Sequence, residues 1–314
     1  MSAEERAPRG ARRERHGIAP RRVSFDWRET PLHWIPEEPT ATHVINVLHL
    51  LLPAGERWFV KVLKEALPLV TDPELLKDVK GFMGQEATHS VQHSTVLDHL
   101  AAQRLHTEAY TRRIDFLFEK LLGERVPFGV PVSAALWLRF RLSLVAAIEQ
   151  FTAVLGDWVL AAGELDRAGA DGIMLDLLRW HGAEEVEHRA VAFDMYQHCG
   201  VSEPRRYVLR IVGMAVVAPV LLWLWVTGSA YLIGHDPQLA DRARYSLREH
   251  NKAVGKGLLP GWKALGAAIP RYCRPSYHPS REGSPRRAAE YLRSSPAARA
   301  AAGEVGRAAP GRKE

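Results

Sequence analysis

Apolar residues recur at three- and four-residue intervals along most of this chain, while alternating strand patterns joined by glycine hairpin signals are hard to find. The pattern predicts an all-α protein. An extended lead-in, RRVSFDWRETPLHW, precedes a first helical region from about Thr40 to Leu67, interrupted near Pro53 and Gly55. VTDPELL reads as a helix N-terminus, with Thr71 or Asp72 as cap and Pro73 in the first turn, and that second helix runs to about Gln103. A shorter amphipathic helix spans about Thr107 to Leu122. A third long helix, from about Ser133 to Ala162, is apolar almost without interruption from Leu142 to Leu155, and a fourth follows GELDRAGADG and runs to about His198.

Two of these helices carry the same spaced pair. GFMGQEATHSVQH holds Glu86 and His89, and HGAEEVEHRAVAFD holds Glu185 and His188. Residues three apart share a helix face, so each pair can reach one point in space. Two Glu-x-x-His helices plus one lone glutamate from each of two further helices make the ligand set of a carboxylate-bridged dinuclear metal centre in a four-helix bundle. The lone glutamates are present, Glu56 in LLPAGERWFVKVL and Glu149 in LSLVAAIEQFTAVLG. Glu149 lies where the helix is apolar all round, and a buried unpaired carboxylate costs several kcal/mol unless a cation compensates it. The order is Glu, Glu-x-x-His, Glu, Glu-x-x-His, so the two halves resemble each other. Glu184 also stands four residues before His188, but Glu185 repeats the spacing of the other pair. His93 and His181 lie one turn from the pairs and are suited to hold a ligand carboxylate or metal-bound water by hydrogen bond. Asp98 and Asp194 fall off the ligand faces and read as structural.

Composition is that of a globular protein, 46% hydrophobic and 25% charged, in a chain of 314 residues that can bury a sizeable core. The net charge of +6 is carried by the ends: residues 1–22 and 281–314 hold +4 each, leaving −2 between them. A nucleic-acid groove is therefore not indicated. Both ends, rich in Arg, Ala, Pro, Gly and Ser, read as disordered tails, and the first lacks the apolar run of a secretory signal. Between them, 23–204 reads as the metal-binding bundle, and 205–280 as a hydrophobic helix with a helical extension packed on it. Cys199 and Cys273 form no motif.

IVGMAVVAPVLLWLWVTGSAYLI, residues 211–233, runs for 23 residues without a charge. At about 1.5 Å per residue it covers roughly the 30 Å of a hydrocarbon core. Arg205, Arg206 and Arg210 flank one end and His235 and Asp236 the other. It is expected to touch a membrane, as a span or a helix dipping into one leaflet, or to pack on the bundle, kinked at Pro219, with Trp223 and Trp225 lining a pocket. Each version expects a lipophilic small-molecule substrate, for a protein in the cytoplasm or attached to the inner membrane.

The stretches LLPAGERWFV, FMGQEATHSVQH, IEQFTA and WHGAEEVEHRAVAFDMY, with a late RPSYHP, resemble the bacterial family of predicted metal-dependent hydrolases within the ferritin-like superfamily. The resemblance covers most of residues 22–280. It implies a ferritin-like four-helix bundle with extra helices, with Glu56, Glu86, His89, Glu149, Glu185 and His188 as metal ligands and His93 and His181 at recurring positions. Four carboxylates and two histidines bring −4 to two divalent ions, which suits iron, with manganese or zinc as alternatives. Such a centre hydrolyses, as the family description says, or it activates O₂ with the help of a redox partner. A non-enzymatic metal-binding role is the third class. No Ser-His-Asp or Cys-His arrangement and no phosphate loop competes.

Overall fold

The structure, a computed structural model, describes residues 18–199, 202–240 and 243–308. Among them every regular element is helical. Four long stretches form the bundle: α1 (Pro39–Ala66), α2 (Pro73–Ala102), α4 (Ala134–Ala161) and α6 (Gly172–His188) followed by α7 (Val191–His198), with α3 (Glu108–Phe116) and the short α5 (Gly163–Arg167) in the connections. Helix α1 packs along α2, and α4 along α6. The pairs close on one another through α1 with α4 and α2 with α6 and α7. The starts are set by local chemistry. Asp72 accepts from the backbone N–H groups of Glu74 and Leu75, and Asp171 from those of Ile173 and Met174, filling donors that a helix leaves open.

Two boundaries differ from the sequence reading. Helix α1 continues through Pro53 and Gly55 without interruption, burying both. Pro53 costs one intrahelical bond, but its own carbonyl accepts from Ser90 Oγ at 2.9 Å, so the segment stays pinned to α2. The fourth bundle helix breaks after His188 instead of running to His198. The Arg189 guanidinium turns back onto the Val186 carbonyl and reaches the Ser280 carbonyl, taking over an acceptor at the helix end.

The crossing of α4 and α6 is unusually close. A Cβ on Gly156 would lie 2.5 Å from the Gly182 carbonyl oxygen, and one on Gly182 would lie 2.8 Å from Gly156 Cα. The two main chains touch where side chains normally intervene.

Helix α8 (Glu203–His235), which contains residues 211–233, continues through Pro219 and packs along both α4 and α1. Its buried positions, from Arg210, Gly213 and Met214 to Leu232 and Ile233, run its length as one stripe. Helices α9 (Leu247–Gly255) and α10 (Trp262–Tyr272) follow, and RPSYHP then lies across the bundle. There Tyr277 donates to Gln150 next to Glu149, and His278 meets Asp194 at 2.8 Å, giving Asp194 the structural part expected of it.

Both tails need correction. Residues 1–17 lie outside the described residues, but 18–22 are packed against the bundle, because Gly81 and Gly84 of α2 leave room for Ile18 and Pro20. Within 281–314, expected to be disordered, α11 (Pro285–Ser294) and α12 (Pro296–Ala308) pack on α6. Composition misled because alanines do the packing: Ala288, Ala297, Ala298 and Ala301 are buried. Asp176 of α6 anchors the pair by accepting from Tyr291, Ser295 and the backbone N–H of Ala297.

Candidate metal centre

All six candidate ligands converge in the bundle interior, each no more than 3% exposed. Glu56 comes from α1, Glu86 and His89 from α2, Glu149 from α4, and Glu185 and His188 from α6. On one side, His188 Nε2 faces Glu86 Oε1 at 3.3 Å, Glu149 Oε2 at 3.4 Å and Glu185 Oε2 at 3.3 Å. These separations are long for charge-assisted hydrogen bonds, but ligand atoms about 2.0–2.2 Å from a common tetrahedral ion lie about 3.3–3.6 Å apart. On the other side, His89 Nδ1 stands 3.4 Å from the same Glu86 oxygen and 3.8 Å from Glu185 Oε1, with Glu56 in the same group. Glu86 and Glu185 therefore face both halves.

The donor set fits a metal by what it lacks. Both oxygens of Glu56 and of Glu86, His89 Nδ1 and Glu149 Oε2 are buried with no hydrogen-bond partner. Leaving one such group unmet costs about 1–3 kcal/mol, more when it is charged, so a fold that collects several calls for a cation between them. In the metal-free protein, burial and then the neighbouring Glu185 carboxylate push Glu86 and Glu149 up to about 8. Burial followed by Glu86 and Glu185 also pushes Glu56 well above the usual carboxylate range. Burial alone would also raise Glu185, but His188 and His181 hold it well below the usual carboxylate range, and Glu185 in turn raises His188 against its burial. One ion pair thus sits among three carboxyls forced toward neutrality.

Behind the ligands is a layer that spacing alone did not reveal. His89 uses its other nitrogen, Nε2, on Glu184 Oε2 at 2.9 Å, so Glu184 orients a candidate ligand from behind. His188 likewise uses Nδ1 on Gln85 Oε1 at 2.9 Å, and Gln85 donates to Glu187 at 2.7 Å. Arg21 closes the layer, donating to Glu184 at 2.6 Å and to both oxygens of Glu187 at 2.9 and 3.0 Å. Such partners fix the ring's tautomer and tilt, and losing one typically costs 10–100-fold in metal affinity. Glu184→Ala is therefore expected to weaken metal binding by about that factor, measured by competition with a chelator, while leaving the number of ions bound at saturation unchanged.

His181 enters further than its expected role behind the ligands. Its Nε2 lies 2.7 Å from Glu185 Oε1 and 3.6 Å from Glu56 Oε1, inside the ring of donors. His93 stays behind it, with Nε2 2.5 Å from His181 Nδ1, and is backed in turn by His49 at 2.7 Å. Burial drives His49 down to about 3 and His93 well below its ordinary value, which keeps this file of rings uncharged. His49, missed in the sequence, stands seven residues before Glu56 and so on the same face of α1.

His181 and Glu185 also form the inner end of a cavity of about 280 Å³ between the bundle and helices α8–α10. Leu48, Leu52, Phe151 and Trp225 make its apolar walls, and Leu222 and Trp262, 53% and 39% exposed, stand at its outer end. Of the two tryptophans expected in a pocket, Trp225 lines it, whereas Trp223 points outward and is 62% exposed.

Fold and site together define an all-helical protein with a buried carboxylate–histidine pocket whose donors suit metal ions. The chain belongs to the family described as predicted metal-dependent hydrolase, whose model matches residues 19–283. No curated protein matches the chain, and no solved structure does.

Proposed function

We propose that this protein is a dinuclear-metal enzyme that hydrolyses a lipophilic small molecule taken from a membrane surface. The observation that carries the reading is the apolar cavity ending on His181 and Glu185: a chain-like substrate lying in it has its inner end against the donor ring. Glu86, Glu149, Glu185 and His188 would hold one ion and Glu56, Glu86 and His89 the other, with Glu185 Oε1 also turned to the His89 side and His181 at the edge facing the cavity. When bound, two such ions supply an activated water and polarise the bond to be cleaved. The protein's own residues hold the ligand rings rigid, keep the site dry and let His181 hold a proton at Nε2 next to the substrate's inner end.

An oxidative reading has one feature in its favour. The cavity walls offer few polar groups to seat an ester or phosphate, and a ring of hard carboxylate oxygens with two histidines suits iron. Metal content decides between the two readings and is measured by elemental analysis of anaerobically purified protein. About two zinc or manganese ions per chain supports hydrolysis, to be followed with long-chain esters. About two irons supports oxygen chemistry, to be followed as O₂ consumption with alkyl-chain substrates. No metal, even after reconstitution, overturns the dinuclear reading.

The membrane surface is argued from α8. Among the described residues it and α4 are the helices long and apolar enough to cross a bilayer, but α4 is the core helix carrying Glu149, whereas only 28% of the most apolar stretch of α8 is buried. Val208, Val212, Val216, Leu222 and Trp223 form an exposed apolar stripe along it, opposite the stripe that packs on α1 and α4. With its opposite side packed on the bundle, we read α8 as lying in one leaflet, with this stripe in the lipid.

A further inference from the structure

We infer that His33, His43 and Asp236 form a separate site for one divalent transition-metal ion, joining the lead-in, the start of α1 and the end of α8. The three residues come from segments about 200 positions apart: Asp236 Oδ2 lies 2.5 Å from His33 Nε2 and 2.7 Å from His43 Nε2. The rings stand nearly perpendicular, 84° between planes, so two nitrogen lone-pair directions and one carboxylate oxygen converge on a small volume. Two imidazoles and a carboxylate are the donor set of mononuclear zinc sites with one open position, and of ferrous sites with more.

Three features make this a built site and not a surface accident. His43 and Asp236 are buried, 0% and 6% exposed, and among the described residues no lysine or arginine meets the Asp236 carboxylate. The other carboxylate oxygen, Oδ1, accepts the Gln238 backbone N–H at 2.7 Å, which fixes the group's orientation as an outer contact does for a ligand carboxylate. His43 presents Nε2 to the cluster, while its Nδ1 has no hydrogen-bond partner. His33 is 19% exposed at its side chain, giving an ion and a water a way in. Around an ion both contacts would open to about 3.3 Å, the 2.5 Å one by rotation of the partly exposed His33 and the 2.7 Å one by a small shift of Asp236 against His43.

The ion would clamp the end of the exposed apolar helix to the two segments beside the cavity, since Val44 and Ile45, next to His43, line it. The test uses the full chain, stripped of metal, saturated with Zn²⁺ and counted by elemental analysis, with Co²⁺ visible absorption as a second readout. Wild type is expected to hold about three ions per chain, and H33A and D236N about two, with H33A losing one component of the Co²⁺ spectrum. E149A keeps that component. H33A changes a partly exposed side chain and is the variant to rely on if D236N fails to fold. Equal ion counts and spectra in wild type and H33A overturn the site, leaving a hydrogen-bonded cluster. The outcome is separable from the dinuclear reading: one ion lost in H33A alone sustains this site without that centre, and two ions indifferent to H33A do the reverse.

Discussion

Replacing Glu86 or Glu185 with alanine is expected to empty both halves of the proposed dinuclear centre, whereas Glu149→Ala is expected to empty one. The difference follows from position: Glu86 and Glu185 face donors on both sides, and Glu149 faces only the His188 side. Elemental analysis should find the dinuclear complement gone in the first two variants and halved in the third, with turnover down by about 10³ or more in all three. Equal retention in all three variants would overturn the bridging arrangement. The same residues make the opposite prediction for stability. In the metal-free protein Glu86→Gln removes a buried carboxyl crowded by others, so that variant should melt higher than metal-free wild type while binding less metal.

The pH dependence of the metal-free protein follows with its sign. Glu86 and Glu149 are raised to about 8 when folded, so their contribution is whole below the ordinary carboxylate range and is lost as pH rises through 8. The lowered histidines His49, His93 and His181 act in the other direction, but only below their ordinary value near 6.5. From pH 6.5 to 8 the raised carboxyls therefore govern together with the raised His188, which loses its contribution in the same direction, and metal-free wild type should lose on the order of 2 kcal/mol per carboxyl across that window. Urea unfolding at the two pH values measures it. Saturation with metal should abolish the slope, and a slope that persists would remove these carboxyls from the ligand set.

The second large effect is on membrane binding. Val216→Asp combined with Trp223→Asp should lower association with phospholipid vesicles by about 100-fold or more, because each exposed apolar side chain withdrawn from a leaflet forfeits about 1.5–3 kcal/mol. Both side chains point away from the bundle, so folding should change by no more than about 0.5 kcal/mol. Activity on detergent-dispersed substrate should hold, and activity on vesicle-embedded substrate should fall through KM. Unchanged vesicle sedimentation would overturn leaflet docking.

Much of this arrangement was legible because helices translate spacing into direction. Glu86 with His89 and Glu185 with His188 needed only a three-residue interval, and Asp72 before Pro73 announced the start of α2. What escaped was set by contacts between distant segments. Arg21 looked like one more charge in a basic tail, since its value comes from Glu184 and Glu187, more than 160 residues away. Glu184 and Glu185 are neighbours with opposite duties, and only the facing His89 shows which one is the brace. His181 could be placed near the ligands by period, but its approach to Glu56 depends on how closely α6 meets the rest of the bundle. The last two helices were hidden because alanine faces carry little hydrophobic signal, although they fit tightly against α6.

The contact of Gly156 with Gly182 has a consequence for how such a protein diversifies. It lies two turns from Glu149 and one turn from Glu185, on the helices that carry them. Main-chain atoms have no rotamers, so the spacing between those carboxylates is fixed by a part of the molecule that side-chain exchange leaves alone. Leu155, Val159 and Leu178, which flank the contact and line the cavity, are free to change size under selection for a new substrate. The walls of the cavity and the spacing of the carboxylates are thus set by separate parts of the molecule, and the first can be recut by substitution without shifting the second.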